Sequence, residues 1–86
     1  MVNVVIYTKN ICPYCVKAKA LLNNKNVRYT EISIENNDNL KAELVTKSGG
    51  RKTVPQIFID DFHVGGCDDL YELEKNNKLD ALLFKH

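Results

Sequence analysis

The sequence predicts an α/β fold, a mixed four-stranded sheet in the order βαβαββα with a short C-terminal helix and helices on both faces. Three observations predict it. Short apolar runs rich in β-branched residues, near 3–8, 28–34, 56–59 and 62–64, have the length and composition of strands. Leucines at helical spacing fill the intervals after the first, second and last of these runs. The junctions carry Pro, Gly, Asn and Asp, the residues a chain needs in order to stop or turn.

The first strand, about Asn3 to Thr8, hands over to a helix through Cys12-Pro13-Tyr14-Cys15. Pro13 suits the first helical position, where an N–H would have no acceptor and φ is already right. Cys15, Ala18, Leu21 and Leu22 share one face of that helix, and Asn26 can stop it by adopting a left-handed conformation. A second strand around Arg28–Ile34 follows, then the polar cluster Glu35-Asn36-Asn37-Asp38-Asn39 with its N-cap candidates. The next helix, about Asn39 to Lys47, sets Leu40, Leu44 and Val45 on one side and ends at Ser48-Gly49-Gly50. Gln56–Ile59 and Phe62–Val64 form a hairpin across the turn Asp60-Asp61. Gly65-Gly66 breaks the last strand, and Cys67-Asp68-Asp69 opens a third helix in which Asp69 and Glu72 have capping-box spacing. Leu79, Leu82 and Leu83 mark the final short helix. The first βαβ unit is expected to be parallel and right-handed, and the hairpin antiparallel.

At 86 residues the chain is read as one small domain spanning 1–86. A net charge of +1, with no basic stripe, gives no electrostatic reason to expect nucleic acid or a membrane surface as partner. The N-terminus lacks a basic segment and a long apolar run, so the expected compartment is the cytoplasm. Three cysteines are an awkward number for a disulfide framework, and a Cys12–Cys15 bridge would close too short a loop to stabilise the fold. In a reducing compartment such a pair is more often catalytic or metal-binding.

Cys12 sits at a helix N-terminus, whose unpaired N–H groups and positive dipole end favour thiolate over thiol, and Lys9 adds a cation on the approach. Cys15, one turn in, is expected to be more buried and less ionised. One nucleophilic and one resolving thiol are the equipment for thiol–disulfide exchange. A Cys-x-x-Cys next to a βαβ pattern reads as a thioredoxin-like redox motif. Zinc is the competing reading, but it would need His63 and Cys67 as the second ligand pair. Pro55 is either an edge-strand proline or a cis proline. Asp68 and Asp69 serve equally as helix caps or as contacts to a ligand's ammonium group, with the helix N–H groups holding its carboxylate. Tyr14 reads as a partly exposed wall beside the thiols. Cys67 is a small buried residue or an oxidisable thiol. Lys9, Arg51 and Lys52 read alone as solvated charges, and neither His63 nor His86 is given a role.

Tyr7-Thr8-Lys9 leading into Cys12-Pro13-Tyr14-Cys15, then Thr53-Val54-Pro55-Gln56-Ile57-Phe58-Ile59 and Gly65-Gly66-Cys67-Asp68-Asp69, together resemble the glutaredoxins. The likeness is to small bacterial dithiol members and covers essentially the whole chain. It implies a thioredoxin-like fold, a cis peptide bond before Pro55, and glutathione as co-substrate with no metal. It also implies a glutathione groove: the γ-glutamyl end at Cys67 and Asp68, the cysteinyl backbone at Val54, and the glycyl carboxylate near Lys9, with Arg51 as a second cation. Tyr14 would flank the sulfur and Thr53 would shape the groove. Implied partners are disulfide-containing or glutathionylated proteins, with ribonucleotide reductase a suggested client, and the chain is expected to act as a monomer.

Two rivals stand beside this reading. A glutaredoxin-like protein reduced by thioredoxin reductase would not need the groove formed by Lys9, Tyr14 and Gly65–Asp68. An iron–sulfur carrier more often has a single active-site cysteine in Cys-Gly-Phe-Ser, which Pro13 and Tyr14 depart from.

Overall fold

Side chains alternate along the central strand, and that alternation sets the layers. The computed structural model describes residues 2–84, so His86 lies outside it. In β1 (Val4–Thr8), Val4 and Ile6 point to one face of the sheet, while Val5 and Tyr7 point to the other. The first face is covered by α1 (Pro13–Asn24), α3 (Cys67–Lys75) and α4 (Leu79–Leu83). Ala18, Leu21, Leu22, Leu70, Leu79 and Leu83 of these helices meet Val4, Ile6, Ile57 and Ile59 of the sheet. On the second face α2 (Asp38–Lys47) inserts Leu44 against Tyr7, Ile34 and Phe58.

The sheet order is β2-β1-β3-β4. β2 (Thr30–Ser33) runs parallel to β1, with Val5 opposite Thr30. It is shorter than its β-branched composition predicts: Val27 and Tyr29 pack on the core ahead of the strand instead of joining it. β3 (Gln56–Ile59) and β4 (Phe62–Gly65) form the antiparallel hairpin, and β3 also pairs antiparallel with β1. Asp60 and Asp61 turn the chain with φ of 50° and 68°. Two left-handed residues in a row make the turn whose twist matches the strands it joins.

Two helix boundaries decide where the chemistry sits. α1 begins at Pro13 with Cys12 as its N-cap, and Asn26 follows its C-terminus at φ 58°. α3 begins at Cys67 with Gly66 as N-cap. The Asp69–Glu72 spacing is not the one used. Asp69 itself stands at the third helical position and reaches back to accept a hydrogen bond from the Gly66 N–H at 2.9 Å. A glycine N-cap has no side chain to offer the helix, so the carboxylate three residues on does the tying.

Candidate active site

Cys12 ends the loop after β1 in extended backbone, φ −134°, and its side chain turns back over the first turn of α1. The Cys15 N–H donates to Cys12 Sγ at 3.3 Å, so the sulfur sits on an otherwise unpaired donor of the helix N-terminus. A negative sulfur gains from that donor and from the dipole behind it. Cys12 is partly exposed, whereas Cys15 is only 2% exposed. Burial, helped by the hydrogen bond with Cys12, pushes the Cys15 thiol up to about 12. Cys67 is also buried, and burial raises it above the ordinary thiol range. The three free cysteines thus divide into one partly exposed sulfur and two buried ones.

Across from Cys12 runs the loop before β3. Its Val54 carbonyl oxygen lies 4.0 Å from Cys12 Sγ, and the Val54–Pro55 peptide is cis. A groove of about 310 Å³ opens there, between Tyr14 on one side, Thr53, Val54 and Pro55 along its floor, and Gly66, Cys67 and Asp68 at the start of α3. That size is at the small end for a ligand site. At Gly66 a Cβ would make only ordinary contact, 3.4 Å from the Pro55 carbonyl oxygen. Gly65, at φ +115°, has no room for one, since it would collide with the Asp69 carboxylate.

Arg51 reaches this groove from the other end of the same loop and pairs with Asp69 at 3.2 Å. The Gly66 N–H first, and Arg51 second, hold the Asp69 carboxyl below the usual carboxylate range. Behind the floor lies a polar relay. The His63 Nε2–H donates to Gln56 Oε1 at 2.7 Å, and Gln56 Nε2 donates to the Thr53 hydroxyl at 3.2 Å. Burial, reinforced by the Arg51 charge, lowers the His63 ring below its ordinary value. Gln56 is completely buried, so both ends of its amide must be satisfied, and they are.

Of the residues singled out from sequence, Tyr14, Arg51, Thr53, Val54, Pro55, Cys67 and Asp68 line one groove. Lys9 does not. It edges a neighbouring recess of about 360 Å³ with Lys41 and Lys52, over a floor that includes Ile34 and Leu44. Sequence reasoning gave no role to Lys41 and left Lys52 as a solvated charge. Their approach to Lys9 is a product of tertiary folding, and no local pattern announces it. Gln56 has no role of its own in the sequence reading, although a lone amide within an apolar run is a signal of a buried polar contact. His63 and Cys67, the second pair that a zinc site would need, join no cluster of three or more potential ligands among the described residues.

The glutaredoxin family model matches residues 4–64. The chain belongs to the glutaredoxin family. It is 59% identical over 81 residues to glutaredoxin 1 of Rickettsia prowazekii, covering 93% of this chain and 85% of that one. Against glutaredoxin 3 of Escherichia coli the identity is 55% over 83 residues, covering 96% of this chain and 99% of the other. A crystal structure of buckwheat glutaredoxin in complex with glutathione superposes with a TM-score of 0.84 at 32% identity, covering 93% of this chain and 74% of that chain. The glutaredoxin is therefore a thiol–disulfide oxidoreductase of thioredoxin-like fold. Among its described residues no helix is long and apolar enough to cross a membrane.

Proposed function

We propose that this glutaredoxin uses glutathione to reduce protein disulfides and protein–glutathione mixed disulfides, with Cys12 as nucleophile and Cys15 as resolving thiol. With a glutathionylated protein, the Cys12 thiolate attacks the glutathione sulfur and the protein leaves as a thiolate. A second glutathione then attacks the Cys12–glutathione disulfide, freeing Cys12 and carrying away oxidised glutathione. With a protein disulfide, Cys12 forms a mixed disulfide and releases one client sulfur. Cys15 gives up its proton, attacks Cys12 and releases the other, and two glutathiones reduce the Cys12–Cys15 disulfide. The clients are disulfide-bearing or glutathionylated proteins of a reducing cytoplasm, ribonucleotide reductase among the candidates, and the enzyme acts as a monomer.

The observation that carries this reading is the groove beside Cys12, whose Val54 wall lies within 4.0 Å of the nucleophilic sulfur. A tripeptide laid along it would put its cysteinyl backbone at Val54, its sulfur between Tyr14 and Cys12, and its γ-glutamyl end at Cys67 and Asp68. The unpaired N–H groups at the start of α3 suit a carboxylate, and the Asp68 side chain suits an ammonium group. Arg51 is already engaged by Asp69 at the γ-glutamyl end. The glycyl carboxylate therefore falls to Lys9, with Lys52 and Lys41 beside it. The relation to a glutaredoxin solved with glutathione supports glutathione as the ligand.

The test is glutathione-driven reduction of a small glutathione mixed disulfide, coupled to NADPH through glutathione reductase. Turnover is expected to saturate with glutathione. Lys9→Ala combined with Lys52→Ala should raise KM for glutathione several-fold at low salt and leave kcat nearly unchanged. Electrons accepted from thioredoxin reductase but not from glutathione would overturn the reading.

A further inference from the structure

The residues flanking Cys12 hold an apolar pair that the fold leaves open. At many helix N-termini an apolar side chain just before the N-cap packs on another at the fourth helical position. Ile11 and Val16 occupy those two places in α1. They do not pack: Ile11 is fully exposed at 101% and Val16 is 63% exposed. The cause is the Ile11 backbone. Its φ of +49° is one that β-branched residues strongly disfavour, and it leaves the side chain standing in water. Tyr14, 61% exposed, stands between them in sequence. Three of the five exposed large apolar side chains among the described residues thus fall within six positions around one reactive sulfur.

The geometry points to this open pair as a contact surface for protein clients, receiving an apolar side chain next to the client's redox-active cysteine. The inference rests on the oxidoreductase reading and goes beyond it by naming what distinguishes a preferred client. The patch is continuous with the reacting atoms, since Ile11 is bonded to Cys12 and the Val16 N–H donates to the Cys12 carbonyl at 3.1 Å. Ile11 and Val16 are therefore within reach of a client whose disulfide meets Cys12. On that reading the small glutathione mixed disulfide occupies the Val54 groove, whose lining includes neither Ile11 nor Val16. Ile11 therefore acts as a specificity residue, selecting among protein disulfides without serving the basal reaction. The exchange itself balances as before: Cys12 attacks, one client thiolate leaves, Cys15 displaces the second, and the enzyme keeps the disulfide.

The test uses enzyme pre-reduced with dithiothreitol and desalted, so it does not depend on glutathione. Single-turnover reduction is timed for two short peptides with one internal disulfide, one carrying Leu beside the attacked cysteine and the other Ser. Wild type should prefer the Leu peptide by roughly fivefold to tenfold. Ile11→Asn, which tolerates positive φ, should bring the ratio close to one, while Ile11→Leu should retain most of the preference. Glutathione-driven turnover of the small mixed disulfide should stay within about twofold of wild type in both variants. A wild-type ratio near one, or an unchanged ratio in Ile11→Asn, overturns the inference. A flat ratio combined with self-association that Ile11→Asn abolishes would assign the patch to a second copy of the chain. Failure of the oxidoreductase reading would look different, as loss of small-substrate turnover in the wild type.

Discussion

Asp69→Ala removes a side chain that ties the start of α3 to the loop before β3. Its carboxylate accepts from the Gly66 N–H at 2.9 Å and pairs with Arg51 at 3.2 Å. A helix-terminal hydrogen bond of this kind stabilises by about 1 kcal/mol. The Arg51 pair is half exposed, 45% and 49% for its two side chains, so its share is discounted to about 0.5 kcal/mol. Their sum, about 1.5 kcal/mol, should lower Tm by about 6–12 °C in a domain of this size. Asp69→Asn keeps an acceptor for Gly66 and should lose less than half as much. Because the folded carboxyl lies below its ordinary value, the stabilisation is complete above the unfolded carboxyl pKa, about 4. It is lost as pH falls through the lower folded value, so the gap between wild type and Asp69→Ala should narrow from pH 5 to pH 3. Thermal melts over that range decide the matter. A gap under about 2 °C at pH 7, or one that does not close in acid, refutes the assignment.

Gly65→Ala, at φ +115° and against the Asp69 carboxylate, should destabilise by about 2 kcal/mol in urea melts, and Gly66→Ala by clearly less. Asp61→Gly relieves a residue at φ 68° in the hairpin turn and leaves Asp60, which accepts from the Asn3 N–H, in place. It should stabilise by about 0.5–1 kcal/mol, read as a rise in urea midpoint. Iodoacetamide at pH 7, mapped by mass spectrometry, should modify Cys12 first. Cys15, whose thiol is pushed up to about 12, and the buried Cys67 should react only after unfolding.

What was legible in the sequence was whatever local chemistry decides. Pro13 and the two cysteines marked the start of α1, Asn26 its end, and Asp60-Asp61 the hairpin turn, because backbone preference settles each within a few residues. The groove residues became legible through three motifs that recur in a family, and the fold then brought seven of them together. Contacts between distant segments were not legible. Arg51 and Asp69 are 18 residues apart, and nothing near either one indicates that they pair. Lys9, Lys41 and Lys52 come from the loop after β1, from α2 and from the loop before β3, and meet only once α2 has packed on the sheet. Asp69 was seen as a cap but assigned the wrong direction, since a glycine N-cap leaves no side chain to read. Ile11 and Val16 carried no sequence signal of their own, because a backbone angle decides whether such a pair closes.

The division of labour between the two thiols is the central claim, and one assay tests it most directly. Wild type, Cys12→Ser and Cys15→Ser are compared in glutathione-driven reduction of a small glutathione mixed disulfide. Cys12→Ser should be inactive and Cys15→Ser should still turn over, because this substrate leaves nothing for a resolving thiol to do. Activity that survives in Cys12→Ser, or that vanishes in both variants, would contradict the assignment of Cys12 as the nucleophile that works alone on this substrate.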